Sequence, residues 1–411
     1  MSDTVTVTTT ESWGSRLGGS LKGMLIGLAL FAGGFPLLFW NEGNAVRTRK
    51  ALEEGEGVCV SVESCSAVDP ALEGKLVHMT GLADTQDILD DGIFGIRERA
   101  IRLERNVEMY QWIEESHTSE KKKMGGSVER TTTYTYSKGW KDALRDSSRF
   151  HQPAGHENPA SIPYPSDSLE SANVSFGAFR LTQDQIKRIG DSLVYTFPTN
   201  YVCPIESAEV SGGYLYVPSG SGTAAQSLSV SNLVSAVVKR SVPANPHVGD
   251  VRVSFRVVRP HEISIVYKQH GDTFVKYTAK NGKSVALLKD GVHDAAEMFA
   301  AAQSANSMMC WFLRLVGFLM MFFGVSTFLK PLSVLADVLP ILGDIVGVIA
   351  GIGAFAVAAA CSLVTIAVAW FFYRPFVAAI LVAAAIGIVI LKRKAKAAVA
   401  AKAAEPSGTK A

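Results

Sequence analysis

Residues 345–373 run for 29 positions without one charged side chain. A helix rises ~1.5 Å per residue and a bilayer's hydrocarbon core is ~30 Å thick, so this run is ample for a tilted transmembrane span. A soluble core has no use for so long an uncharged stretch. A second run, 23–41, holds 19 uncharged residues between Lys22 and Glu42. A signal peptide would have a shorter apolar region followed by small residues at a cleavage site. Phe39, Trp40, Asn41 and Glu42 stand there instead, so the run reads as an uncleaved span. Between 307 and 329 only Arg314 carries charge, and a helix starting near Asp294 is expected to run into this span. Arg374-Pro375 then interrupts the apolar sequence, because proline restricts the residue before it and ends helices. The 16 apolar residues 376–391 form a fourth expected span, starting near Pro375.

The segment between the second and third spans, 330–344, places Leu335, Val338, Leu339 and Leu342 at helical spacing with Asp337 and Asp344 off that stripe. It is expected to be a short amphipathic helix lying in the headgroup plane. The boundaries are therefore an N-terminal tail 1–21, helices at 22–41, 307–329, 345–373 and 375–391, an extramembrane domain 42–306, the interfacial segment 330–344 and a tail 392–411.

Charge sets the expected orientation. Lys392, Arg393, Lys394 and Lys396 open a tail of net +5, which the positive-inside rule places in the cytoplasm. Four spans return the N-terminus, with Arg16 and Lys22, to the same side. Segment 42–306 would then lie on the opposite face, periplasmic or luminal, and its 29 Lys/Arg against 33 Asp/Glu do not oppose that. Basic residues directly after the last span are expected to contact anionic lipid. Over the whole chain 40 basic and 38 acidic residues nearly cancel, which argues against a nucleic-acid-coating protein.

The extramembrane domain reads as α+β and mostly strand. Val251, Val253, Phe255 and Val257 alternate with Arg252, Ser254 and Arg256, the period of a half-buried strand. Strands are also expected at 74–81, 106–113, 130–136, 262–269 and 274–277, with a solvated hairpin tip at 120–126. Asn281-Gly282 is a hairpin signal. Helices are expected at 138–147 and 182–189, loops at 153–168 and 219–231. Gly-Lys-Leu-Val at 74–77 and Gly-Asp-Val-Arg-Val at 249–253 hint at two related β halves.

Several motifs follow one another along the chain: Asn41-Glu42-Gly43, Val107-Glu108-Met109-Tyr110-Gln111-Trp112, Gly155-His156-Glu157-Asn158-Pro159, 248–255, Asn306-Ser307-Met308 with Trp311 and Arg314, and Phe372-Tyr373-Arg374-Pro375. In that order and spacing, from about residue 20 to 392, the chain resembles the transmembrane protein 43 (LUMA) family. The resemblance implies a four-pass membrane protein with a large luminal domain. In eukaryotes it implies the endoplasmic reticulum and inner nuclear membrane, nuclear-envelope organisation, and lamins and emerin-like proteins as partners. The family has bacterial members, for which the inner membrane is the corresponding place.

No sequence signature names a reaction: a nucleophile elbow, a phosphate-binding loop and a dinucleotide fingerprint are all missing. No cofactor and no metal is expected. His151 and His156 lack the third and fourth ligands a zinc site needs and read as structural. Cys59 and Cys65 stand six apart on the expected oxidising face; a local disulfide, two buried thiols and pairing with Cys203 remain as alternatives. Cys310 and Cys361 read as packing residues. Lys121-Lys122-Lys123 is surrounded by Glu114, Glu115, Glu120 and Glu129, hence the solvated tip. Gly23 and Gly27, and Gly347 and Gly351, have the spacing that lets helices approach closely. No Asp, Glu, Lys or His lies in the middle of any span, which weighs against an ion pump. Glu42, Arg314 and Arg374 are expected at one bilayer face, with Glu42 pairing to Arg314 or Arg374. The chain thus reads as a non-enzymatic scaffold organising other membrane proteins, alone or as a homo-oligomer; a channel subunit or envelope-stress sensor is the alternative.

Overall fold

The computed structural model describes residues 3–219 and 246–374. The expected fourth span, Pro375 and the basic tail with Lys392, Arg393, Lys394 and Lys396 lie outside the described residues, as does most of the loop 219–231. The chain divides into two compact units. The first comprises residues up to Thr10, Ala51–Lys121 and Glu129–Ala302; the second comprises Glu11–Lys50, Lys122–Val128 and the chain from Gln303 onward.

The first unit is β-rich. Among the described residues one sheet has eight strands, in the order Asp3–Glu11, Val128–Lys141, Arg102–Lys122, Val251–Val258, Tyr214–Val217 and Glu209–Ser211, with two short strands, Leu193–Val194 and Asp167–Glu170, on its central pair. The alternation in 251–257 fixes the register. Val251 stands opposite Met109 and Val258 opposite Arg102, antiparallel. Val251, Val253, Phe255 and Val257 bury against Leu103, Val107, Met109, Phe94 and Leu215. On the other face Arg252 pairs with Glu108 at 2.7 Å and lies over the Trp140 and Tyr214 rings.

The second sheet has seven strands centred on Leu76–Asp84 and His261–His270, again antiparallel. The two glycine-led segments of the sequence thus lead into different sheets. Ile263 to Tyr267 are buried without interruption, so strict alternation fails here. Ile263, Ile265 and Tyr267 enter one core with Phe176, Phe179 and Phe274. Val266 enters another with Ala51, Leu52, Met298 and Phe299. Covering both faces turns a half-buried pattern into a fully buried one. The hairpin at Asn281-Gly282 forms, with Gly282 at φ +80° between Tyr277–Thr278 and Ser284–Val285.

Two expectations for this unit differ from the structure. Residues 138–147 are not a helix: 138–141 extend the long strand, and only Ser147–Arg149 makes a single 3-10 turn. Side chains take the backbone groups that a helix would have paired. Gln111 donates to the carbonyls of Lys141 and Ala143 and accepts from Arg145 N–H, while Asn158 donates to the Arg145 carbonyl. The helix expected at 182–189 shrinks to α2, Gln183–Ile186, with Gln185 Oε1 accepting from Thr182 N–H at 2.8 Å.

The second unit holds the apolar helices: α1 (Trp13–Val58) and, after α2, α3 (Ala295–Ala336) and α4 (Pro340–Tyr373). All three are long and apolar enough to cross a membrane. Each overruns its apolar stretch, because once nucleated a helix extends at little cost. Propagation also overturns the expected interfacial helix at 330–344. Pro331 lies inside α3, which continues to Ala336; after a tight turn α4 starts at Pro340. Leu339, held in an extended conformation (φ −113°, ψ 107°) before Pro340, makes the break.

The cysteines settle one alternative. Cys59, Cys65 and Cys203 are all free thiols, so of the three alternatives the structure shows unpaired thiols rather than a disulfide. Cys59 and Cys65 pack in different places, the first beside the Ala51, Leu52 and Phe299 cluster and the second beside the Phe176 and Phe179 cluster. Burial raises the Cys59 thiol to about 11. Alkylation of Cys59 should therefore be slow at pH 8 and quicken as pH approaches 11, since the thiolate reacts. A fast reaction at pH 8 in the folded protein would count against this burial.

Candidate functional site: a buried charge pair among apolar helices

Helices α1 and α3 run antiparallel, and small residues set their approach. Gly27 meets the Gly324 backbone, and Gly34 meets Gly317 and Met321. A Cβ placed on Gly27 would lie 2.7 Å from the Gly324 carbonyl oxygen and 3.0 Å from Phe328 N. Gly23 has one neighbour at ordinary contact distance, Thr327 Cγ2 at 3.5 Å. Among the described residues the Gly347 and Gly351 pair makes no comparable approach: Gly347 has only Ser333 Cβ at 3.9 Å, and Gly351 has nothing within 4 Å. The working signal was Gly27 with Gly34 facing Gly317 with Gly324. Both pairs are seven apart, two helical turns, rather than four. Gly27→Val should disrupt the bundle and Gly351→Val should leave its melting temperature nearly unchanged. Equal effects would refute this contact.

Further along the same seam the packing becomes polar. Asn41 Nδ2 donates to the Cys310 carbonyl at 3.0 Å, and Asn306 Nδ2 donates to the Ala45 carbonyl at 3.0 Å. Between them stands Glu42, 0% exposed. Arg314 Nε donates to its Oε1 at 2.6 Å and Arg314 Nη2 to its Oε2 at 2.9 Å. Trp370 Nε1, from α4, adds a third donor to Oε2 at 2.8 Å. One carboxylate thus ties all three helices together. The two-pronged geometry suits a planar guanidinium and a carboxylate. The Arg314 guanidinium also lies 4.5 Å from the Trp311 ring centroid and 5.8 Å from that of Trp370. Of the two arginines expected near Glu42, Arg314 is the partner. Arg374 instead lies over the Trp370 ring, 5.4 Å from its centroid. Trp311 stood in the sequence only as part of a family motif and Trp370 not at all; their indoles mean little until the helices are placed.

A second charged cluster closes the other end of the same helices. Asp337, in the turn between α3 and α4, is 1% exposed. It accepts from Arg16 Nη2 at 2.5 Å and from Lys122 Nζ at 2.7 Å, and Lys122 also reaches Asp344 at 2.7 Å. Burial disfavours the Lys122 charge, but its bonds to Asp337 and Asp344 outweigh that and raise its pKa. Backbone contacts lock the cluster: Gly125 N–H donates to the Val338 carbonyl, Arg16 Nη1 to the Gly126 carbonyl, and Trp13 Nε1 to the Val334 carbonyl. Lys122 is therefore not the solvated tip residue expected from its acidic neighbours. The expected topology also separates the hairpin tip from Arg16 and Asp337 by a bilayer. Labelling the tip and the N-terminal segment from each side of sealed vesicles tests that separation directly.

Arg16 and Glu42 lie ~39 Å apart along α1 at 1.5 Å per residue, so the two charged layers bracket a ~30 Å hydrocarbon core with part of the headgroup region on either side. Between them Leu25, Ile26, Phe312, Phe323, Ile352 and Leu363 are exposed. Apolar side chains facing outward between two polar layers define an integral membrane protein that also carries a large β-rich region.

Comparisons with known proteins narrow the class. The family described as Transmembrane protein 43 matches residues 109–375. Transmembrane protein 43 of Mus musculus is 32% identical over 392 residues, covering 92% of this chain and 91% of that protein. The Homo sapiens protein of that name is 31% identical with the same coverage. The Transmembrane protein 43 homolog of Drosophila melanogaster is 30% identical over 366 residues, 88% of this chain and 91% of the homolog. The chain belongs to the transmembrane protein 43 family. No solved structure matches it.

The remaining expected site residues are structural in their contacts. His156 is stacked on Tyr136 and edge-on to Trp112, with Nδ1 at 2.9 Å from the Gln152 carbonyl. His151 stacks on Tyr134. Among the described residues no group of three or more His, Cys, Asp or Glu is placed to hold a metal.

Proposed function

We propose that this protein is a non-enzymatic scaffold that organises other membrane proteins. The observation that carries the reading is Glu42: one buried carboxylate spends its hydrogen bonds on joining three helices rather than on facing a cleft. A catalytic carboxylate would face a cleft where substrate could reach it. A rigid apolar bundle suits a platform on which partners assemble through helix faces and through the β-rich region. The resemblance noted from the sequence supports the endoplasmic reticulum and inner nuclear membrane as the setting in a eukaryote, with lamins and emerin-like proteins as partners. In a bacterium the corresponding setting is the inner membrane. The basic residues Lys392, Arg393, Lys394 and Lys396 would hold the tail on anionic lipid.

One observation favours a second reading, an envelope-stress sensor: Lys122, on a hairpin tip, bonds directly to the α3–α4 turn at Asp337 and Asp344. A signal moving the tip would be felt at the helix ends. Mass spectrometry of the intact complex purified from its native membrane decides between them. Stable, stoichiometric membrane-protein partners are expected for the scaffold. Recovery of the chain alone, without stoichiometric membrane-protein partners, would reject it.

A further inference from the structure

We propose that Arg374 and Trp370 form a binding site for the headgroup phosphate of an anionic membrane lipid. Arg374 caps the C-terminal end of α4, where the apolar run stops and the helix dipole favours a cation. Its backbone N–H is committed to the Trp370 carbonyl at 2.7 Å, which fixes the start of the side chain over the indole. The guanidinium sits 5.4 Å from the Trp370 centroid. That indole cannot turn away, because its N–H is held by Glu42.

The charge balance leaves Arg374 unsatisfied. Glu42 is fully buried and already takes both prongs of Arg314. Among the described residues Arg374 has no carboxylate partner, only the ring. One net positive charge therefore remains at the end of a helix bundle whose outward faces are apolar. A guanidinium matches phosphate with two parallel donors and is more weakly hydrated than an ammonium. Trp311, Phe371 and Phe372 are exposed nearby. Aromatic side chains at this level suit the glycerol and upper acyl region of a lipid. A free phosphate ion would gain nothing from them, so the lipid is the favoured source.

The test uses the full chain in neutral detergent, with thermal unfolding read against added short-chain phosphatidylglycerol, diacylglycerol or inorganic phosphate. Phosphatidylglycerol should raise the unfolding temperature saturably, and the other two should not at equal concentration. R374Q should weaken the apparent affinity about fivefold. A chain with Lys392, Arg393, Lys394 and Lys396 all changed to Gln should keep the response, separating this site from the tail. Should R374Q fail to fold, photo-crosslinking of a phosphatidylglycerol probe to the unaltered chain replaces it, with label expected on the peptide spanning 370–374. An unchanged response in R374Q, an equal response to diacylglycerol or inorganic phosphate, loss of the response in the tail variant, or label elsewhere would each overturn the proposal.

Discussion

Glu42→Gln should lower the stability of the helix bundle by about 3–5 kcal/mol, the usual cost of leaving one member of a buried ion pair unpaired. The substitution removes the acceptor of two Arg314 bonds and one Trp370 bond at once. Arg314 would remain 13% exposed at its side chain with no counter-charge. Arg314→Gln alone should cost a similar amount, since Glu42 is then the stranded charge. The double variant should cost far less than the sum, because residues in one network are strongly non-additive. Thermal unfolding of the four proteins in the same detergent measures this cycle. Strictly additive losses would show that the pair does not hold the helices together.

Asp337→Asn should free the hairpin tip. Arg16 and Lys122 would lose the one buried carboxylate they share, and Lys122 would keep only the exposed Asp344. Trypsin should then cut at Lys121, Lys122 and Lys123 at least several-fold faster than in the unaltered protein. Lys122 is held with a raised pKa, so its contribution is complete at neutral pH and fades only as pH rises through that raised value. The same contact predicts sidedness. Met124→Cys at the tip and Ser15→Cys beside Arg16 should be reached by a membrane-impermeant maleimide from the same face of sealed vesicles. Labelling from opposite faces would break the contact and restore the expected separation of 42–306 from the N-terminus. Equal trypsin rates with and without Asp337 would remove the tip from this cluster.

The sequence by itself determined what could be read from one element at a time. Long apolar runs, two without any charge and one with Arg314 alone, identify three helices because hydrocarbon tolerates no unpaired charge, whatever the neighbours are. Period-two alternation identifies the 251–258 strand because one of its faces meets the core and the other meets polar side chains. Glu42 and Arg314 were legible as a candidate pair since both stand at span boundaries, where a charge needs a partner. The family was legible through motifs in order.

Other features depend on contacts between distant segments, and only the tertiary structure decided them. Residues 138–141 became strand because they continue Val128–Lys141 beside Arg102–Lys122 in the sheet, while Gln111 and Asn158, distant in sequence, take backbone groups of Ala143 and Arg145 that a helix would have paired internally. Val266 is buried because the ends of α1 and α3 cover the sheet face it occupies. Segment 330–344 is shared between two helices since extending α3 is easier than nucleating a separate helix. Glycine spacing showed which residues are small, but which of them touch depends on helix rotation, and among the described residues rotation brings Gly27 against Gly324. Lys122 looked neutralised by nearby glutamates, yet a buried aspartate 215 positions away binds it more closely. Charge in a sequence is counted by neighbourhood along the chain; in the folded protein it is balanced by distance through space.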